Sequence, residues 1–232
     1  MIKEKNNDFK NMVIGFGVIF LYIILSAIPG EFIKIFGINY YKLSFILKQV
    51  YLILYEACLL ALIIYIYKNI FIPDLKEFKK NVLSYLKKYI KYWFLIIILM
   101  IFSNYIISMF TTSNTSLNQQ IIIKELKAAP IYVLIITIFI APILEELVFR
   151  LSFRKIFAHT NILYIIFSGL FFGFMHVAGE DLINLLFIIP YSIPGFIFAY
   201  LYTKSNNICV PISLHIIHNF IMLILEIILL AI

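Results

Sequence analysis

Three islands of polar, chemistry-bearing side chains interrupt stretches otherwise built of aliphatic and aromatic residues. They are Glu145, Glu146 and Arg150 in APILEELVFR, His176 in FFGFMH, and His215, His218 and Asn219 in SLHIIHNF. Ionisable groups at membrane depth cost several kcal/mol, so they are rarely present without a task. Residues four apart share a helix face, which pairs Glu146 with Arg150 and offsets the cost of burying each charge. Glu145 then points about 100° away and stays free to act as a general base. The same spacing puts His215 and Asn219 on one face of a later helix, with His218 close by but off that line. Each island alone also suits a structural part, a packing histidine or an interhelical polar contact. Three together argue for a site.

The elements that must position these islands are membrane helices. The 232 residues are 63% hydrophobic and 13% charged, with a mean hydropathy of +1.02, whereas soluble domains are about 25% charged. The chain reads as an all-α, polytopic membrane bundle of about seven transmembrane helices, within a range of six to eight. Spans are predicted at about 12–29, 44–67, 92–110, 131–157, 161–178, 183–203 and 208–231. The first is long for a cleaved signal sequence and more spans follow it, so it is read as an uncleaved helix. With a rise of 1.5 Å per residue from the nearest cytoplasmic ends, Glu145 lies roughly 18 Å deep, His176 roughly 22 Å, His215 roughly 10 Å and Asn219 roughly 16 Å. Three helices thus bring polar groups to comparable levels.

Residues 1–129 are expected to hold N-terminal membrane helices and a basic amphipathic linker at about 73–91. There Leu75, Phe78, Val82, Tyr85 and Leu86 recur at helical spacing among Lys76, Lys79, Lys80, Lys87, Lys88 and Lys91, the pattern of a helix lying on an anionic leaflet. The polar stretch TTSNTSLNQQ leaves room for a second interfacial helix. The net charge of +7 does not point to nucleic acid, because the lysines flank apolar spans. With the N-terminus cytoplasmic, thirteen Lys/Arg fall inside (Lys3, Lys5 and Lys10 among them) and five at the other face, which supports that orientation. Cys58 and Cys209 show no metal or disulfide pattern and are read as packing residues.

The three islands resemble, in order, the motifs of the CPBP family, the CAAX proteases and bacteriocin-processing or self-immunity proteins also called Abi. Its EExxxR, FxxxH and HxxxN patterns correspond here to Glu145-Glu146 with Arg150, Phe172 with His176, and His215 with Asn219. The resemblance covers roughly residues 130–222, a catalytic core whose last helix runs to 232. It implies an intramembrane endopeptidase with the fold of the type II CAAX prenyl endopeptidase. Glu145 and His176 would activate a water, His215 and Asn219 would bind the oxyanion, and Glu146 and Arg150 would support the site. His218 has no place in the pattern.

No cofactor is favoured. Zinc is left open, since Glu145, His176 and His215 could supply three ligands; no HExxH helix is present, however, and a glutamate base with an oxyanion stabiliser needs no metal. The partners implied are a peptide or membrane-protein substrate and the lipid bilayer. Abundant Ile, Lys and Asn suggest an AT-rich bacterial genome and a plasma-membrane location, for which bacteriocin or peptide-pheromone processing, or self-immunity, fits better than a prenylated substrate. A non-catalytic membrane immunity or binding protein is the alternative. A transporter would use Glu56 and Glu226, yet no inverted repeat is visible.

Overall fold

A computed structural model describes residues 2–111 and 113–231, and of residues 2–7 the backbone alone. The side chains of Lys3 and Lys5, used above for orientation, lie outside the described residues, as does Thr112 of the polar stretch. Eight principal helices follow one another: α1 (Ile2–Ala27), α2 (Phe45–Lys80), α3 (Val82–Ile107), α4 (Leu117–Ala128), α5 (Pro130–Ile156), α6 (Asn161–Val177), α7 (Ile188–Ser205) and α8 (Cys209–Ala231). No strand occurs among the described residues.

Six of these helical segments are long and apolar enough to cross a membrane, and α6, at 17 residues, is a shorter apolar helix. The seven apolar segments expected from sequence are thus all helices. The protein is a multi-pass membrane protein, and its surface agrees. Ile98, Ile101 and Phe102 on α3 are 64%, 66% and 63% exposed, and Phe16, Phe20, Phe167 and Phe174 are also exposed. Apolar area on that scale would be untenable against water and is ordinary against lipid.

The basic segment expected as one amphipathic helix at about 73–91 is not a helix of its own. α2 runs on through it to Lys80, and α3 starts at Val82 after a break at Asn81 (φ −128°). At 36 residues, α2 is about 54 Å long, well beyond a hydrocarbon core of about 30 Å, and Leu75, Phe78, Tyr85 and Leu86 of its lysine-rich end and of the start of α3 pack against the core. Phe78, Tyr85 and Tyr89 stack along this stretch. Asp74 near it accepts from the backbone N–H of Ile208 at 2.8 Å, while Asn207 accepts from that of Cys209 at 2.9 Å. These two carboxyl and amide oxygens satisfy donors at the start of α8, which a helix cannot satisfy internally.

α5 is the irregular helix. Its backbone widens into π-helical turns over Ile135–Ile140 and again over Leu147–Ser152, with an α-helical turn, Ala141–Glu146, between. Pro142 has no N–H to offer the preceding turn, and the N–H of Ala141 reaches back to Ile136 O, the i→i−5 bond of a π-turn. Around α5 pack α1, α2, α6 and α8, with a core that includes Leu59, Ile63, Tyr67, Leu147, Phe149, Tyr164, Phe172 and Ile212.

α6 and α7 cross at close range because the contact is built from small residues. A Cβ added to Gly195 would lie 2.7 Å from the carbonyl oxygen and 2.9 Å from the Cα of Gly169. One on Gly173 would lie 2.9 Å from the carbonyl oxygen of Ile188. These approaches let the end of α6, which bears His176, sit against α7. Gly195→Ala is expected to force the two backbones apart and destabilise the fold by about 1–3 kcal/mol. Gly17→Ala, which meets nothing within 4 Å, should leave it unchanged; thermal melting of both variants in detergent checks the contrast.

Candidate active site

Glu146 and Arg150 are both fully buried. The guanidinium grips the carboxylate with two bonds, Nε to Oε2 at 2.7 Å and Nη2 to Oε1 at 3.0 Å. Its remaining Nη1 donates to Ser168 Oγ at 2.6 Å, and Ser168 in turn donates to the Phe149 carbonyl at 3.1 Å. The planar face of Arg150 lies 5.2 Å from the centre of the Phe172 ring. A buried ion pair tolerates its desolvation only when the leftover donors and acceptors are satisfied in this way. The pairing expected from the i,i+4 spacing is therefore present.

Glu146 does more than hold Arg150. Its Oε1 also accepts from Nδ1 of His215 at 3.2 Å, so α5 and α8 are joined through the same carboxylate. A carboxylate only accepts, which puts the proton of that contact on Nδ1 and turns Nε2 toward Glu145, 3.9 Å from its Oε2. Phe172 and Phe198 pack against the ring of His215 at centroid distances of 5.6 and 5.2 Å.

His176 is held by its own helix and by α7. Nδ1 lies 2.8 Å from the Phe172 carbonyl. Since a carbonyl only accepts, Nδ1 carries the proton and Nε2 keeps its lone pair. The ring sits between Phe172, at 4.6 Å, and Tyr191, stacked at 4.8 Å and 21°. Asn219 Nδ2 donates to the Thr137 carbonyl of the widened turn in α5 at 2.9 Å, which leaves its second amide hydrogen and its Oδ1 unspent.

Glu145, His176, His215, His218 and Asn219 all line one cavity of about 640 Å³. Glu145 is 16% exposed there, while its neighbour Glu146 is 0% exposed, the divergence expected of adjacent helical positions. The cavity roof is α4, a helix in the region where the polar stretch left room for one. Asn114, Ser116, Asn118, Gln119 and Glu125 line it from the roof side. Ser116 caps α4 by accepting from the Gln119 N–H at 3.2 Å, and its hydroxyl lies 2.7 Å from that of Tyr191. Glu180 accepts from the backbone N–H of Leu117, and Gln119 donates to Glu226 at 3.0 Å.

Sequence reasoning missed Ser168, Tyr191 and Thr137 as supporting residues. Only Ser168, a small hydroxyl residue in an apolar helix, carried a visible signal. Glu56 does not line the cavity. The residues as placed do not fit the zinc set left open above. Among the described residues no three His, Cys, Asp or Glu side chains are grouped so as to hold a metal ion.

Residues 127–221 match the family model described as type II CAAX prenyl endopeptidase, Rce1-like. The resemblance drawn from the three motifs is borne out over that stretch. The chain is 34% identical over 119 residues to the "Putative membrane peptidase YdiL" of Bacillus subtilis, covering 50% of this chain and 46% of that protein. It is 40% identical over 77 residues to an uncharacterised protein of Mycoplasma capricolum, covering 32% and 21% respectively. The chain therefore spans less than half the length of these relatives. No solved structure matches it.

Removing Arg150 would leave Glu146 buried and uncompensated. Arg150→Met is expected to destabilise the protein by about 3–5 kcal/mol, and adding Glu146→Gln should recover part of that loss. Unfolding in detergent mixtures, followed by circular dichroism, measures both.

Proposed function

We propose that this chain, which carries a CPBP-type, Rce1-like unit over residues 127–221, is an intramembrane endopeptidase that hydrolyses a peptide bond of a small peptide or a membrane-associated protein. The observation that carries the reading is the convergence of Glu145 from α5, His176 from α6, and His215 and Asn219 from α8 on one cavity inside an apolar bundle. Its volume of about 640 Å³ lies within the range of sites that enclose small ligands.

In this mechanism Glu145 takes a proton from the attacking water. His176, with Nδ1 tied to the Phe172 carbonyl, offers Nε2 as the second acceptor that orients the same water. Attack on the scissile carbonyl builds an oxyanion. Asn219 meets it with the amide hydrogen not used by Thr137. His215 meets it with Nε2, which donates only when that nitrogen also carries a proton. A ring so protonated would lie between the carboxylates of Glu145 and Glu146, where its charge is compensated. The proton on Glu145 then passes to the leaving amine. Every step uses side chains of this protein, which favours the metal-free route.

Topology and composition support a bacterial plasma-membrane protein with a cytoplasmic N-terminus. In that setting leader-peptide or pheromone processing, or bacteriocin self-immunity exercised through cleavage, fits better than cleavage of a prenylated terminus.

Cleavage of a broad peptide library by the protein in liposomes tests the reading. Glu145→Gln and His176→Ala should each lower the rate by about 10²–10⁴-fold, and Asn219→Ala by about 10²–10³-fold, with melting temperatures retained. Chelator should leave the wild-type rate unchanged. Protection of cells against a bacteriocin that survives Glu145→Gln would favour a binding role instead.

A further inference from the structure

His218 matches no position of the three motifs, yet it lines the same cavity. It lies one turn beyond His215 on α8, on a stripe with His215, Asn219, Met222 and Leu223 that faces the cavity along its length. The spacing of three, four, seven and eight residues is that of a single helix face, so His218 belongs to the wall of the site rather than beside it.

Its hydrogen bonding sets it apart from the other two histidines of the cavity. Nδ1 of His176 is committed to the Phe172 carbonyl and Nδ1 of His215 to Glu146. His218 is only 8% exposed, and its Nδ1 is enclosed with no partner. Nε2 is left as the ring nitrogen that can serve the cavity. A neutral imidazole has one N–H and one lone pair, and enclosed unpaired N–H groups are rarer in proteins than unpaired acceptors. The proton therefore belongs on Nε2, where a bound molecule can accept it.

We propose that His218 is a further substrate-contacting residue, whose Nε2–H donates a hydrogen bond to a main-chain carbonyl of the bound peptide. The inference rests on the peptidase reading above. A main-chain contact of this kind holds the peptide in register without selecting its side chains. It also divides the donors of α8: His215 and Asn219 serve the reacting carbonyl, and His218, one turn along from His215, serves a neighbouring peptide unit.

The test measures binding of a fluorescein-labelled pool of random decapeptides by fluorescence anisotropy. The full chain is held in nanodiscs, in a Glu145→Gln background so that the probe is not consumed. His218→Phe should weaken binding by about tenfold, the scale of one hydrogen bond. His218→Gln, which keeps an N–H donor, should recover most of that loss, and thermal melting should be the same for all three proteins. Equal binding by the parent and both variants overturns the contact while leaving the peptidase reading intact. Equal weakening by Phe and Gln also overturns it, in favour of a packing role. No binding of the pool even by the parent removes the peptidase reading and the contact with it.

Discussion

The ion pair between Glu146 and Arg150 is the constraint from which the rest of the site follows. Two charges with no exposed surface survive in a lipid-embedded core only if every remaining donor and acceptor finds a partner. Arg150 finds Ser168 on α6 and the face of Phe172; Glu146 finds His215 on α8. Satisfying one buried pair thus sets the relative positions of three helices. Once Glu146 is turned inward, the helical repeat obliges Glu145 to face the cavity. A buried pair is weak evidence of net stability; what the contacts show is that it ties α5 to α6 through Ser168 and to α8 through His215.

Backbone irregularity serves the same end. A regular α5 would keep its carbonyls within its own hydrogen-bond ladder. The widened turn of Ile135–Ile140 presents the Thr137 carbonyl to Asn219, and Pro142 follows directly. The second widened turn, Leu147–Ser152, contains Arg150. Phe172 is equally economical: its carbonyl fixes the tautomer of His176 while its ring packs on Arg150, His176 and His215. The glycines opposite α7 permit the close crossing that presses Tyr191 onto His176.

The architecture and much of the site were legible in the sequence for different reasons. Membrane spans announce themselves through length and hydropathy, because lipid demands both. The i,i+4 rule gave the Glu146–Arg150 pair, since it depends on a single helix. What could not be read was whatever required two helices at once. The bond from Glu146 to His215 is one case, and the meeting of Asp74 with the start of α8 is another. The basic segment near 73–91 was expected as one helix, because its pattern of lysines and aromatics does not show where a helix breaks; the structure divides it at Asn81. His218 was set aside by a straight-line count of four, although a spacing of three shares the face almost as well.

Were the site hydrolytic, as proposed, it would need water as well as a base, and the side of the cavity closed by α4 offers polar groups for it. α3, α6 and the end of α8 turn apolar side chains outward, whereas Asn114, Ser116, Asn118, Gln119 and Glu125 bring polar groups to the cavity wall beside Ile121 and Ile122. Water can wet that wall at little cost. The roof is not independent of the chemistry beneath it, because Ser116 bonds Tyr191 and Tyr191 stacks on His176. In the peptidase reading, one aromatic ring thus joins the helix that closes the cavity to the histidine assigned to orient water.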